Sequence, residues 1–147
     1  MCGQEGKKDD QSLNVPVGNS TPDLLGMRVL IVDDNKMNIM IASKFLKKWQ
    51  AAPDEAISGR QAIEMTRQNN YDLIIMDLQM PEMDGFEATR VIKKSNPLIP
   101  IIALTADAMP ETHSKAFAAG MCDYLTKPFV PDVLFEKVAK HYVAVEE

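Results

Sequence analysis

From Met27 onward, short apolar runs alternate with longer amphipathic stretches, and the alternation repeats five times. Residues 29–32 form a continuous, largely β-branched run, the mark of a strand buried on both faces. Asn35 is placed to cap a helix over 36–50. Ile41, Ala42, Phe45, Leu46 and Trp49 would form its inward face, with Lys44, Lys47 and Lys48 opposite. A weaker strand over 52–57 contains Pro53, which suits the edge of a sheet. A helix over 60–69 follows Gly59, and 71–76 is the second strong strand. Pro81 and Gly85 mark a loop before a helix over 86–94. A strand over 101–104 follows Pro100. Pro110 opens a helix to Ala119, and Gly120 suits its C-terminal cap. Residues 122–126 read as a short strand. Pro131 begins a last helix to about Val145, with Leu134, Val138, His141 and Tyr142 on its inward stripe.

Five βα units joined by short links predict an α/β fold, a doubly wound parallel sheet with helices on both faces. Right-handed crossovers leave few topologies. In such sheets, ligands bind outside the carboxyl ends of the strands. Asp33, Asp34, Asp77, Thr105 and Lys127 all fall just after a predicted strand. The pattern therefore gathers these polar residues at one edge.

Composition limits what this edge can serve. The chain has 147 residues, 46% apolar and 25% charged, with a net charge of -5. That suits one domain over 27–147 preceded by a polar stretch, 1–26, which reads as a disordered leader or interdomain linker. No run of basic residues exists apart from short pairs such as Lys47-Lys48 and Lys93-Lys94, which argues against direct nucleic-acid binding. No run approaches the roughly 18 apolar residues of a membrane span, and no apolar signal segment opens the chain, so no direct membrane contact is expected. Cys2 and Cys122 lie far apart without metal-ligand spacing, consistent with free thiols in a reducing, cytoplasmic setting.

Three carboxylates gathered at the ends of buried strands repel one another. Such a cluster persists where a cation binds or a proton is held at a raised pKa. Mg²⁺ suits the set, because it takes one or two carboxylates together with waters and phosphate oxygens. Asp77 is the best nucleophile candidate, since a carboxylate can attack phosphorus to give an aspartyl phosphate. Lys127 would stay charged beside the carboxylates and hold a phosphoryl oxygen as a point charge. Thr105 offers a hydroxyl donor. The Lys127–Pro128 bond is a candidate cis peptide.

Taken in order, these pieces resemble the receiver domain of two-component response regulators. They are Ile31-Val-Asp-Asp-Asn35, Leu73-Ile-Ile-Met-Asp-Leu-Gln-Met-Pro-Glu-Met-Asp-Gly85, Ile101-Ile-Ala-Leu-Thr-Ala106 and Tyr124-Leu-Thr-Lys-Pro128. The resemblance implies a flavodoxin-like (βα)5 sheet of order 2-1-3-4-5, which the pattern alone does not fix. It also implies roles. Asp77 would be the phosphoacceptor, and Asp34, Asp77 and the backbone carbonyl of Gln79 would be Mg²⁺ ligands. Asp33 would act through a metal-bound water. Thr105 and Lys127 would hold phosphoryl oxygens, and Thr105 and Tyr124 would form the switch. Gln79 and Asp107 occupy positions that tune dephosphorylation in the family. The donor would be a histidine kinase or histidine phosphotransfer protein. Output, and any oligomer, would use the fourth helix, fifth strand and fifth helix, near Met109, His113, Phe117, Met121 and Tyr124. Among these, Phe117 is expected to point inward.

The main alternative is a haloacid-dehalogenase-like phosphatase, which also uses a strand-end Asp. It needs an acid two residues later, where this chain has Gln79 after Asp77 and Asn35 after Asp33. A flavin-binding module would need a Ser/Thr/Gly-rich phosphate loop in place of Asp33-Asp34-Asn35. The final helix uses up the chain, so the output is expected elsewhere. The domain would be free-standing or the C-terminal receiver of a hybrid sensor histidine kinase. The leader and the motif variants favour the second.

Overall fold

A computed structural model describes residues 24–107 and 109–142. Five strands and five helices alternate: β1 (Arg28–Val32), α1 (Lys36–Lys48), β2 (Ala52–Ala56), α2 (Gly59–Gln68), β3 (Leu73–Asp77), α3 (Gly85–Ser95), β4 (Ile101–Thr105), α4 (Pro110–Ala119), β5 (Asp123–Thr126) and α5 (Pro131–Ala139). The strands form one parallel sheet in the order β2-β1-β3-β4-β5. β2 is an edge strand, as Pro53 suggests.

Side chains alternate across each strand and feed two cores. Val29, Ile31, Leu73, Ile75, Ile102 and Leu104 pack with α1 and α5. Leu30, Val32, Ile74, Met76, Ile101 and Ala103 pack with α2, α3 and α4. Burial on both faces explains why these strands read as unbroken apolar runs. Leu24, at the end of the polar stretch, is also buried, and its amide donates to the Trp49 carbonyl at 2.6 Å.

Helix starts follow the side chains available. Asn35 accepts from Met37 N at 2.9 Å and caps α1. Ser58 accepts from Gln61 N and caps α2, while Gln61 Oε1 accepts from Ile57 N, one residue before the cap. Asp84 accepts from Glu87 N at α3. α4 and α5 begin with proline instead, which needs no partner for a missing N–H.

Three expectations need correction. In α1 the buried row is Ile39, Ala42, Ser43 and Leu46, and Ile41 is 38% exposed. The i, i+3, i+4, i+7 spacing from Ile39 matches the helix period, and Ile41 falls beside it. In α4 the sheet-facing residues are Ala116 and Ala119, and Phe117 is 53% exposed. Small residues let this helix lie close to the sheet, and Phe117 lies about 100° further round. α5 ends at Ala139 rather than near Val145. His141 N donates to Val138 O and Tyr142 N to Ala139 O, so a tighter turn replaces the helical pattern. Residues 143–145 lie outside the described residues, as does Cys2.

Candidate functional site

Parallel strands bring all their carboxyl ends to one side, and the strand order decides which residues meet there. Asp33 follows β1, Asp77 ends β3, Thr105 ends β4 and Lys127 follows β5. Because β1 and β3 are neighbours, Asp33 and Asp77 lie side by side. Both are buried, while Asp34 is exposed. Oxygens of Asp33, Asp34 and Asp77 all lie within 4.8 Å of one another.

Lys127 enters this cluster from the far strand. Its Nζ lies 3.2 Å from Asp77 Oδ1 and 3.4 Å from Asp33 Oδ2. Its amide donates to the Thr105 carbonyl at 2.8 Å, which ties the end of β5 to the end of β4. The Lys127–Pro128 peptide is cis. A single ammonium therefore serves two buried carboxylates. Asp33 has further partners: Oδ1 accepts from Asn35 N at 2.9 Å and Oδ2 from Asn38 Nδ2 at 3.1 Å.

Asp77 is less well satisfied. Oδ1 accepts from Lys127 and, at 3.3 Å, from Gln79 N, while Oδ2 is buried with no hydrogen-bond partner among the described residues. Burial, and then the Asp33 charge, push its carboxyl from its ordinary 3.8 up to about 6, against the pull of Lys127. A buried acceptor left unpaired costs about 1–3 kcal/mol, so this oxygen calls for a ligand. The donors around it are hard carboxylate oxygens, the set that suits a small divalent cation.

Gly85 fixes how close α3 comes to this edge. A Cβ there would collide with the Asp77 carbonyl oxygen, and the Gly85 amide donates to the Leu78 carbonyl at 3.1 Å. No side chain fits between the helix start and the strand end.

Thr105 reaches the edge, where its hydroxyl bonds to Asp107 and makes no bond to Asp77. Its hydroxyl donates to the Asp107 carbonyl at 3.1 Å and accepts from the Asp107 amide at 2.9 Å. The Asp107 carboxylate in turn accepts from Met109 N at 2.9 Å and Thr112 Oγ1 at 3.0 Å. The sequence gives no sign of this loop, which depends on side-chain torsions rather than on spacing.

Tyr124 is half-buried between two other residues. His113 of α4 stacks on its ring with centroids 3.8 Å apart, and Lys137 Nζ sits 4.6 Å from the ring centre on α5. Of the proposed output face, Met109 is exposed like Phe117, whereas Met121 belongs to the core.

Fold and edge together define a class: flavodoxin-like (βα)5 domains with an acidic cleft at the carboxyl side of the sheet. Within that class the chain belongs to the response regulator receiver domain family, which it matches over residues 29–139. Receiver domains serve two-component phosphorelay signalling, and the phosphatase alternative is set aside.

The chain is 39% identical over 140 residues to probable histidine kinase 4 of Oryza sativa subsp. japonica, a match covering 80% of this chain and 14% of that kinase. It is 46% identical over 107 residues to hybrid signal transduction histidine kinase G of Dictyostelium discoideum, covering 69% of this chain and 3% of the kinase. The chain thus spans only a small part of the length of these relatives. Among solved structures, Vibrio cholerae chemotaxis protein CheY4 superposes with a TM-score of 0.73 at 30% identity, covering 80% of this chain and 99% of that one. The receiver domain of a sensor histidine kinase from Pseudomonas aeruginosa, solved with a magnesium ion coordinated in its active site cleft, gives 0.72 at 34% identity, covering 80% and 97%.

Proposed function

We propose that this receiver domain accepts a phosphoryl group on Asp77 from a phosphohistidine of a histidine kinase or histidine phosphotransfer protein. The observation that carries the reading is the state of Asp77 itself: buried, held by Lys127 through one oxygen, and unpartnered at the other. With its carboxyl near 6, it is largely ionised at pH 7 and available as a nucleophile.

In the reaction, a carboxylate oxygen of Asp77 attacks phosphorus in line. The P–O bond forms as the P–N bond breaks, and the bonding pair returns to the donor imidazole. Mg²⁺, bound by Asp34, Asp77 and the Gln79 backbone carbonyl, would neutralise charge on the phosphoryl oxygens. Asp33, already anchored by Asn35 and Asn38, is suited to holding a metal-bound water. Lys127 exchanges a carboxylate contact for a phosphoryl oxygen, at no cost in charge separation. Thr105 turns to donate to another, and Tyr124 follows as the switch aromatic. The acyl phosphate adds about -1.5 to -2 of charge where repulsion was already high, which gives the switch its driving force.

The polar stretch 1–26 is read as a leader or linker, and 27–147 as the receiver. Histidine kinases many times longer than this chain are among its relatives, which favours a hybrid sensor kinase as the parent. Among the described residues, no helix is long and apolar enough to cross a membrane. A phosphohistidine donor goes with a cytoplasmic setting.

The test is Mg²⁺-dependent labelling with acetyl phosphate. Wild type should incorporate one phosphoryl group per chain, labile to hydroxylamine, and Asp77→Asn should incorporate none. Stoichiometric labelling of Asp77→Asn would overturn the assignment, and labelling unaffected by chelation would overturn the role of the metal.

A further inference from the structure

The bonds around Thr105 form a closed set that the proposed chemistry must open. Its hydroxyl spends both its donor and an acceptor position on the backbone of Asp107. Neither bond goes to Asp77. To donate to a group on Asp77, the hydroxyl must leave the Asp107 carbonyl. The backbone of Asp107 is in turn held by its own side chain. One carboxylate oxygen fastens Met109 N, and the other fastens Thr112 Oγ1 in the first turn of α4. Met109 itself supplies α4 with no side-chain cap, so the Asp107 carboxylate acts as a side-chain anchor between this loop and the helix start.

The next residue on α4 after Thr112 is His113, which stacks on Tyr124. A path therefore runs from Thr105 through Asp107 to Thr112, and from its chain neighbour His113 to the Tyr124 ring. Thr105, Asp107 and Thr112 also line one cavity of about 140 Å³ with Gln79, Phe86 and Lys115. The side chains thus have space in which to rearrange without first breaking the core.

We infer that Asp107 is a positioning residue: its carboxylate latches the β4–α4 loop so that the Thr105 hydroxyl is held off Asp77, and links the movement of that hydroxyl to α4 and Tyr124. This rests on the phosphoacceptor reading of Asp77 and assigns to Asp107 a part distinct from the orientation of water. The latch stabilises the resting arrangement only. Cutting it should therefore favour the arrangement in which Thr105 faces a phosphoryl group, because a bias on one of two states shifts the other by the same free energy.

The experiment uses beryllium fluoride with saturating Mg²⁺ as a phosphoryl analogue, read by NMR titration of the full chain. Asp107→Ala removes both acceptors, and Thr112→Val cuts only the link to α4. Each should bind the analogue about three- to tenfold more tightly than wild type, the effect of losing one or two hydrogen bonds of ordinary strength. Asp107→Asn keeps an acceptor for Met109 N and can donate to Thr112 Oγ1, so its affinity should return to within about twofold of wild type, as hydrogen-bond capacity predicts. In Asp107→Ala the analogue should still shift the Thr105 resonances, while the accompanying shift at Tyr124 shrinks. Affinities unchanged or weakened in both Asp107→Ala and Thr112→Val overturn the latch, as does an Asn variant that behaves like the Ala variant. Should Asp107→Ala not fold, Thr112→Val decides alone. If wild type itself fails to bind the analogue, the phosphoacceptor reading fails instead.

Discussion

Lys127 Nζ lies 3.2 Å from Asp77 Oδ1, and that contact occupies one oxygen of a carboxylate whose other oxygen has no partner. The pair is half of a site. It holds the nucleophile in place while leaving the remaining charge to be met by something the chain does not supply.

Lys127→Met should separate binding from chemistry. Without the ammonium, the acidic cluster loses its internal counter-charge, and Mg²⁺ affinity measured by calorimetry should rise several-fold. Phosphoryl transfer from acetyl phosphate should fall by about 10²-fold or more, the usual cost of removing one charge-stabilising donor. A Lys127→Met protein that labels at the wild-type rate would remove Lys127 from the reaction.

Asp77 also makes a prediction about pH. Burial and the Asp33 charge raise its folded-state pKa from 3.8 to about 6, so the folded protein holds this proton more tightly than the unfolded chain does. In Mg²⁺-free buffer, the contribution of Asp77 to stability therefore worsens as pH rises from about 4 to about 6, and the full penalty applies above that. Its size is on the order of 2–3 kcal/mol. Asp77→Asn should accordingly melt several degrees higher than wild type at pH 7.5 without Mg²⁺. The gap should close near pH 4, and also when Mg²⁺ is added to wild type. Thermal melts followed by circular dichroism across this range are the check, and a gap independent of pH would contradict the assignment.

Gly85→Ala should be far more harmful than an ordinary helix-start substitution. The new methyl group collides with the Asp77 carbonyl oxygen, and backbone cannot rotate out of the way as a side chain can. Overpacking of this kind costs about 1–3 kcal/mol, and here the strain falls on the strand end that carries the acceptor. Urea unfolding and the labelling rate should both suffer. Loss of stability with a normal labelling rate would show that the strand end absorbs the methyl group without moving Asp77.

The stack on Tyr124 has a flaw that can be repaired. His113 Nε2 is buried with no hydrogen-bond partner among the described residues. His113→Phe keeps a ring against Tyr124 and removes the unpaired nitrogen, so chemical denaturation should show a gain of about 1 kcal/mol. A lower urea midpoint would mean that the nitrogen is solvated when the protein moves.

The sequence carried the edge of the site further than its interior. Asp33, Asp77, Thr105 and Lys127 could be placed because the end of an apolar run marks the end of a strand, and parallel strands end on one side. Helix faces were harder to assign. Ile41 shares helical spacing with Phe45 and Trp49, yet the row that faces the sheet starts at Ile39, and on α4 Ala116 rather than Phe117 holds the buried place. The bonds between Thr105 and Asp107 were beyond reach, since residues two apart in a loop carry no periodic signal and their torsions are set by what surrounds them. The unpartnered oxygen of Asp77 belongs to the same group: a carboxylate at a strand end was legible, but which of its oxygens is left bare was not.

β2 has a consequence for how the domain behaves in company. Ala52 N donates to Met27 O and Ala56 O accepts from Asp33 N, so the even-numbered residues of β2 face β1 and the odd-numbered ones face outward. Pro53 therefore withholds a donor on the open side of the sheet, while the Glu55 carboxylate turns toward α1 and accepts from Ser43 Oγ at 3.1 Å. A strand from another molecule would meet a missing hydrogen bond where it needed a template. The domain can be crowded against neighbours at high local concentration, tethered or free, without its sheet growing by edge-to-edge addition along β2.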